Sequence, residues 1–308
     1  MPAAEIAIHP NLKVTISAPW GFPLRDDIAF TDAQGGDGGS LARRAKSVLQ
    51  QLQEPLGKIL EPDEVVLYFT HGQLMPGLPE RYMLGETYRV LTRAGLILTN
   101  RRLIHISLKR GGKWNRNLRS ARWGDVKEFQ VTGRIRGKLL IKYKTGSSET
   151  YWYIPMPAAA KIRVVLDALL HQSAEETSPA REMASFCPRC LGALASRVYE
   201  CPNCQLKFQD EKGALLHGLL VPGGGFFYAG LNLLGIAHAF ADVSLLFSAV
   251  ASVLAATGRV RPPAMPGAPP GRWAFTLSAF ALTASLLADI WLSIRVAQKG
   301  VRNFIPLS

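Results

Sequence analysis

The spacing of apolar residues changes along the chain and predicts a helix, a run of strands and a second helix. In residues 41–53 apolar side chains recur at every third or fourth position, which is typical of a helix with one buried face. Helical spacing returns from Pro157 to residue 172. Between these helices the pattern approaches alternation and predicts strands at 65–70, 88–91, 96–99, 103–108, 125–131, 139–143 and 150–154.

Two later runs are apolar throughout rather than periodic. Residues 213–257 hold Asp242 as their one formally charged side chain, and residues 273–294 form the second run. Since about 20 apolar residues span a hydrocarbon core of roughly 30 Å, we expect transmembrane helices at 231–257 and 273–297.

The segment before the first of these helices is interrupted. Pro222 and the three glycines after it break the apolar run, so we expect 209–230 to be an interfacial or re-entrant segment. If this segment also crossed the membrane, the number of crossings would be odd and the tail at 298–308 would lie outside the cytosol. A Pro-rich loop at 258–272 joins the two helices.

The positive charge lies in one part of the chain. The 308 residues carry a net charge of +13, and residues 41–172, with 23 Lys and Arg against 10 Asp and Glu, account for all of it. Residues 1–40 lack the basic start and apolar core of a secretory signal. We therefore expect the polar domains on the cytosolic side of the inner (cytoplasmic) membrane.

Four cysteines form two matched pairs that are typical of a metal site. Cys187 and Cys190 are separated by two residues, as are Cys201 and Cys204, and each pair has the form CPxC. This spacing lets four thiolates reach one tetrahedral ion. Four protein ligands leave no open position, so we predict structural Zn²⁺ in a zinc ribbon at 187–208. Iron and a dithiol redox pair are the alternatives.

The expected fold class is multidomain: an antiparallel β domain with a C-terminal helix, a small zinc ribbon and an α-helical transmembrane hairpin. Besides the segments given above, the organisation comprises a partly flexible N-terminal extension at 1–40, the basic domain with its leading helix at 41–172, and a linker at 173–186.

Two sequence segments resemble known modules. The run LILTNRRLIHI at 96–106, followed by WGDV at 123–126 and a closing helix, resembles bacterial pleckstrin-homology-like (PH-like) domains of the GRAM/bPH type. That resemblance covers about 60–172 and implies a curved antiparallel sheet capped by a helix, in membrane-proximal adaptors or oligomers. The run PGGGFFYAG at 222–230 resembles the turn of TM2-type two-helix membrane modules.

Basic residues crowd the loops and strand ends of the predicted sheet. Beside a bilayer they would attract anionic headgroups by about 1 kcal/mol per charge. A protein docking surface and a merely solvated face are the alternatives, and the lack of a helix-turn-helix argues against nucleic acid. The candidates for lipid or partner binding are Arg101, Arg102, Lys109, Arg110, Lys113, Arg116, Arg119 and Arg122.

Three polar residues lie within the predicted transmembrane helices. His238 and Asp242 are four residues apart and share a helix face, and Asp289 is in the second helix. Such residues are costly in hydrocarbon, so they indicate either hydrogen bonds between helices or a proton path. Small residues at 244, 248 and 252, and at 274, 278, 281, 285 and 288, favour close helix packing, either between the two helices as a hairpin or within a homo-oligomer or a complex with partner membrane proteins.

No catalytic motif supports an enzyme, because GxxxxGK[ST], GxSxG and HExxH are all missing. The sequence therefore predicts a non-enzymatic membrane-anchored adaptor or scaffold, whose basic domain docks anionic lipids or a partner protein and whose ribbon is a rigid spacer. The alternatives are an accessory subunit of a transporter or other membrane complex, and a membrane-tethered nucleic-acid binder.

Overall fold

The computed structural model describes residues 20–85, 88–109, 111–173, 184–195, 198–260 and 271–301. The chain divides into a sheet unit, Met1–Pro76 with Glu86–Cys204, and a helical unit, Gly77–Gly85 with Gln205–Ser308. Most of the N-terminal extension, the centre of the linker, most of the Pro-rich loop and the tail lie outside the described residues.

The sheet unit contains one large antiparallel sheet. Its strands pair in the order β5-β6-β7-β1-β2-β3-β4-β8-β9. They are β1 Val66–Leu74, β2 Arg93–Thr99, β3 Arg102–Leu108, β4 Trp114–Arg122, β5 Val126–Thr132, β6 Gly137–Tyr143, β7 Ser148–Ile154, β8 Ala184–Phe186 and β9 Ala193–Leu194.

Ten helices lie in the described ranges. The first six come before the cysteine pairs in the sequence, and the last four follow them. They are α1 Asp26–Ala29, α2 Gly39–Gln51, α3 Gln53–Ile59, α4 Leu78–Leu84, α5 Tyr88–Leu91, α6 Met156–Ser173, α7 Glu211–Leu220, α8 Gly224–Tyr228, α9 Asn232–Ala256 and α10 Arg272–Val301.

One strand prediction was wrong, and one strand was not predicted. The segment Tyr88–Leu91 is helix α5, and the polar segment Trp114–Arg122 is strand β4. Strand β4 reads WNRNLRSAR, so only Leu118 and Ala121 offer buried apolar side chains there. Pairing with β3 on one side stabilises a strand whose own pattern is too polar to predict it.

The sheet is strongly curved. Strands β4 and β7 are separated by three intervening strands, which in a flat sheet would put them roughly 19 Å apart at about 4.8 Å per strand. Yet Arg119 of β4 forms an ion pair with Glu149 of β7 at 3.3 Å. The two halves of the sheet therefore fold towards each other around a shared interior.

Each face of the β1–β4 half packs against its own core. On the inner face, Leu96, Leu98 and Leu103 join residues of β5–β7 and of α6. On the outer face, Ile97 and Ile104 join α2, α3 and the N-terminal residues Trp20, Phe22 and Leu24. The described part of the N-terminal extension, which we expected to be partly flexible, therefore belongs to the folded core.

In the helical unit, α7 and α8 form a short helical hairpin beside α9 and α10. Gly223, at the tip of that hairpin, has φ +65°, and a Cβ there would lie 2.1 Å from the Gly235 carbonyl oxygen in α9. The glycine thus permits both the turn and the close approach. At the other end of the hairpin, Ala214 of α7 and Ala229, which follows α8, share a buried cluster with Ala297 of α10. The chain therefore runs towards the tip along α7 and returns along α8.

Candidate metal centre and charged surfaces

The four cysteines converge as the sequence predicts. Their sulfur atoms all lie within 4.8 Å of one another. Sγ of Cys187 is 3.6 Å from that of Cys204, and Sγ of Cys190 is 3.5 Å from that of Cys201. These distances are far longer than a disulfide, but they fit a tetrahedral ion with metal–sulfur bonds of about 2.3 Å, for which sulfurs lie about 3.8 Å apart. The cluster could therefore hold a metal ion.

The backbone of the two cysteine pairs repeats one local geometry. The residue after each second cysteine, Leu191 or Gln205, adopts positive φ, 59° and 56° respectively. The Leu191 N–H donates to the Cys187 carbonyl at 2.9 Å, which closes the first turn. A left-handed conformation costs a non-glycine residue roughly 1–2 kcal/mol. Because this costly conformation recurs after both cysteine pairs, we infer that the two turns position the sulfur atoms.

The thiols have divergent ionisation behaviour. Burial raises the pKa of Cys187 to about 12. Burial also opposes ionisation of Cys201, but hydrogen bonds from the backbone N–H groups of Cys204 and Asn203 and from the Cys190 and Cys187 side chains together lower the pKa of Cys201 to about 7. Four clustered thiols cannot all ionise without a cation between them, which is the charge that a bound metal ion supplies.

The cysteine module is joined to the sheet rather than separate from it. Strand β8 pairs with β4, with Leu118 opposite Phe186 and Ser120 opposite Ala184. Phe186 also packs against the outer core. Residues 184–186, which we expected in the linker, thus cover the exposed edge of β4 and satisfy backbone groups that an edge strand leaves unpaired.

Three of the eight predicted binding cations are engaged by acidic residues before β1. Arg102 is buried and pairs with Glu64 at 2.6 Å. Arg101 contacts Glu61 at 2.8 Å and also pairs with Asp63, and Arg122 contacts Glu61 at 2.7 Å. The run Glu61–Glu64 therefore neutralises this part of the basic surface. The acidic run and the arginines meet because antiparallel pairing brings the start of β1 next to the end of β2.

A fourth cation, Arg119, belongs to a polar cluster in the interior of the curved sheet. It contacts Nδ1 of His105 and pairs with Glu149, which accepts a hydrogen bond from the hydroxyl of Tyr151. Tyr151 is fully buried. His105, Glu149 and Tyr151 were not predicted as members of any site, because only the curvature of the sheet brings them together.

The other predicted cations that the structure describes lie on the β3–β4 hairpin. Lys109 and Lys113 are exposed beside its turn and Arg116 is exposed in β4, while Arg110 lies outside the described residues. A second hairpin, β5–β6, also carries exposed cations. On the β5–β6 hairpin, Ile135 is 89% exposed between the exposed Arg134 and Arg136.

The base of the β5–β6 hairpin carries aromatic rings under cations. The Arg136 guanidinium lies 5.2 Å from the Tyr153 ring centroid, and Lys138 Nζ lies 5.6 Å from that of Trp152. The sequence analysis did not include this hairpin among the binding candidates. The signal that could have revealed it is the apolar residue between two arginines in a turn.

Helices α9 and α10 are long and apolar enough to cross a membrane. In the most apolar 18-residue stretch of each helix, only 11% of α9 and 17% of α10 is buried. Most of the small residues expected to pack between helices, including Ser244 and Ser285, are exposed. The buried positions of α9 are instead Gly235, Asp242 and Ala249.

The three polar residues of these helices come together. His238 Nδ1 lies 3.0 Å from Asp289 Oδ2, which joins α9 to α10. Asp242 Oδ2 accepts a hydrogen bond from the Gly223 N–H at 3.1 Å. Asp242 also interacts with the Asp289 side chain. The polar cluster therefore links both long helices and the tip of the α7–α8 hairpin.

No protein-family model matches the chain, and neither does any curated protein. A solved structure with some similarity is the C-terminal domain of an unknown protein from Leishmania infantum. It is 11% identical, with a TM-score of 0.27, and the alignment covers 41% of this chain and 96% of that chain. A TM-score this low carries no argument about fold or function.

Proposed function

We propose that the protein is a non-enzymatic, membrane-anchored adaptor. In this proposal α9 and α10 cross the inner membrane, and the sheet unit docks on anionic lipid headgroups at its cytosolic side. The exposure of α9 and α10 carries the proposal, because a core helix of a water-soluble domain would be mostly buried, whereas these helices present apolar side chains on nearly all sides. Hydrocarbon is the solvent that matches such a surface.

We further assign the sheet unit to the PH-like class and the bound ion to zinc. Seven antiparallel strands, curved around a shared interior and followed by α6, support the first assignment. Four cysteine sulfurs at tetrahedral spacing support the second, because zinc in an all-cysteine site is four-coordinate.

The β5–β6 hairpin is the part of the sheet unit that we assign to lipid contact. Ile135 can enter the interface while Arg134, Arg136 and Lys138 remain at the headgroups, where each charge contributes about 1 kcal/mol. A hairpin for a protein partner would be expected to bury its apolar tip in a pocket instead. Anchoring by α9 and α10 would keep the hairpin near a bilayer, so even weak attraction would be effective.

A fluorophore at the hairpin tip tests the docking. An environment-sensitive maleimide is attached to the metal-loaded, full-length Ile135→Cys variant, which is then reconstituted in vesicles with or without phosphatidylglycerol. We expect a blue-shifted emission only with the anionic lipid. Thr145→Cys, on the exposed β6–β7 turn, is the matched control, and the unmutated chain measures labelling of the cysteine cluster. Equal emission from both positions in both lipids would remove the docking proposal.

Extraction with alkaline carbonate tests the anchor separately. A chain held by two transmembrane helices stays in the membrane fraction, whereas a peripheral protein is released. Release of the intact chain would overturn the proposed anchoring.

A further inference from the structure

The side chain of Asp242 is only partly accounted for by its structural role. It lies near the middle of α9 and is 6% exposed. Its Oδ2 atom accepts the Gly223 N–H and so satisfies a backbone donor at the tip of the α7–α8 hairpin. Its Oδ1 atom is buried and has no hydrogen-bond partner among the described residues. A buried carboxylate oxygen without a donor is costly, and more so in an apolar setting.

The group that faces Asp242 is a second carboxyl. His238 lies one turn before Asp242 on α9, and its Nδ1 is 3.0 Å from Oδ2 of Asp289 on α10. This pair places the Asp289 carboxyl close to Asp242, with which it interacts electrostatically. Two neighbouring carboxylates repel each other and offer only acceptors, so neither can satisfy the other while both are ionised. One proton between them removes the repulsion and provides the donor that Oδ1 lacks.

Among the residues that the structure describes, no group donates a hydrogen bond to Asp242 Oδ1. The groups that act on Asp242 are the Gly223 N–H, Asp289 and His238. On α7, His217 contacts the Gly213 carbonyl oxygen and stacks on Tyr228 of α8. On α4, Glu80 pairs with Lys299 near the end of α10. These groups of α4, α7 and α10 therefore have partners of their own in the described part of the helical unit.

We propose that Asp242 and Asp289 share one exchangeable proton, so that these residues and His238 form a proton-binding site in the middle of the paired helices. In the bound state the Asp242 Oδ1–H donates to the Asp289 carboxyl, and His238 donates to the other oxygen of Asp289. Every polar group then has a partner, and one negative charge is removed from an apolar region. This site goes beyond the adaptor function and depends only on the helical unit.

Dicyclohexylcarbodiimide provides a direct test on the full-length, metal-loaded chain in mild detergent. This apolar reagent takes up the proton of a carboxylic acid on one nitrogen, and the carboxylate adds to its central carbon. The O-acylisourea then rearranges to a stable N-acylurea that keeps all atoms of the reagent. We expect mass spectrometry at neutral pH to find one reagent molecule on Asp242, with labelling lost as the pH is raised. Asp210, whose carboxylate accepts the Gly213 N–H, is the internal control and should remain unlabelled.

Two variants separate a shared proton from mere burial. Asp242→Asn removes the labelled residue. Asp289→Asn keeps the shape but offers an amide donor to Asp242 Oδ1, so labelling of Asp242 should fall to background while the elution volume and metal content stay unchanged. Persistent labelling in Asp289→Asn would overturn the shared proton. Absence of labelling in the unmutated chain, or protection by Na⁺ at constant pH, would overturn the proposal outright; the second outcome would assign the site to a metal cation.

Discussion

In the sheet unit Ile97, Leu98 and Ile104 are fully buried, whereas in the helical unit Leu233, Phe240 and Phe247 lie on the surface. In α9, one of the three buried positions is the polar residue Asp242. Large apolar side chains on a helix surface are expected where hydrocarbon, rather than water, is the solvent. This difference teaches that the exposure of apolar side chains, and not the presence of helices, distinguishes the helical unit from the sheet unit.

The cysteine module is a third case, and removal of the proposed metal ion should have the largest effect. Because about 20 residues cannot form a sufficient core, the ion is expected to supply about 10 kcal/mol of the module's folding free energy. Treatment with a chelator should release β8 from β4, together with β9, which pairs with β8, and leave the rest of the sheet folded, as measured by hydrogen exchange of residues 114–122 and 184–194. Native protein with four titratable thiols and no zinc would contradict the assignment.

The buried ion pair of the sheet unit is the next test of the comparison, because it shows how the core of that unit accommodates charge. Glu64→Gln leaves Arg102 buried without a counter-charge and should destabilise the unit by about 3–5 kcal/mol. Asp63→Asn breaks an exposed pair with Arg101 and should cost less than about 1 kcal/mol. Urea unfolding followed by tryptophan fluorescence measures both, and equal losses would mean that burial does not decide the strength of these pairs.

Matched lysine substitutions test the two solvents directly. Phe247 and Ile135 are 72% and 89% exposed, so neither replacement creates a cavity. Phe247→Lys places a charge in hydrocarbon and should oppose membrane integration by about 3 kcal/mol, whereas Ile135→Lys should change the stability of the sheet unit by less than about 0.5 kcal/mol. The fraction resistant to carbonate extraction measures the first effect and urea unfolding the second. If Phe247→Lys were as resistant to carbonate extraction as the unmutated chain, we would infer that the exposed face of α9 contacts water rather than hydrocarbon.

The smallest expected effect is a pH dependence confined to the sheet unit. Burial and the nearby Arg119 hold the pKa of His105 well below its usual value of 6.5. The unfolded chain therefore binds a proton that the folded chain does not, so stability should be complete above pH 6.5 and decrease below it, by about 1.4 kcal/mol per pH unit.

His105→Gln should remove that share of the slope, as read from urea midpoints at a series of pH values. The pKa of His71 is lowered to about 4 by burial and by Arg44, so His71 contributes a second part of the pH dependence in both the unmutated chain and the variant. An unchanged slope in His105→Gln would mean that His105 titrates normally in the folded state.

Much of the architecture could be predicted because it depends on local patterns. The spacing of the cysteines, the helix after Pro157 and the two long apolar helices are recorded in neighbouring residues, and α6, α9 and α10 lie close to their predicted bounds. The prediction of α5 as a strand and the omission of β4 show the limit of this reasoning. A short segment such as Tyr88–Leu91 fits either period, and the polar strand β4 is stabilised by its neighbours rather than by its own composition.

The sequence by itself determined which chemistry is present: a basic domain, four metal-competent thiols and two helices that suit hydrocarbon. Only the tertiary structure decided which charges are engaged, because Glu64 and Arg102 are 38 residues apart and Arg119 meets Glu149 only across a curved sheet. The approach of Asp242, Asp289 and Gly223 was likewise decided by helix packing. Such contacts depend on long-range geometry, which short-range periodicity does not record.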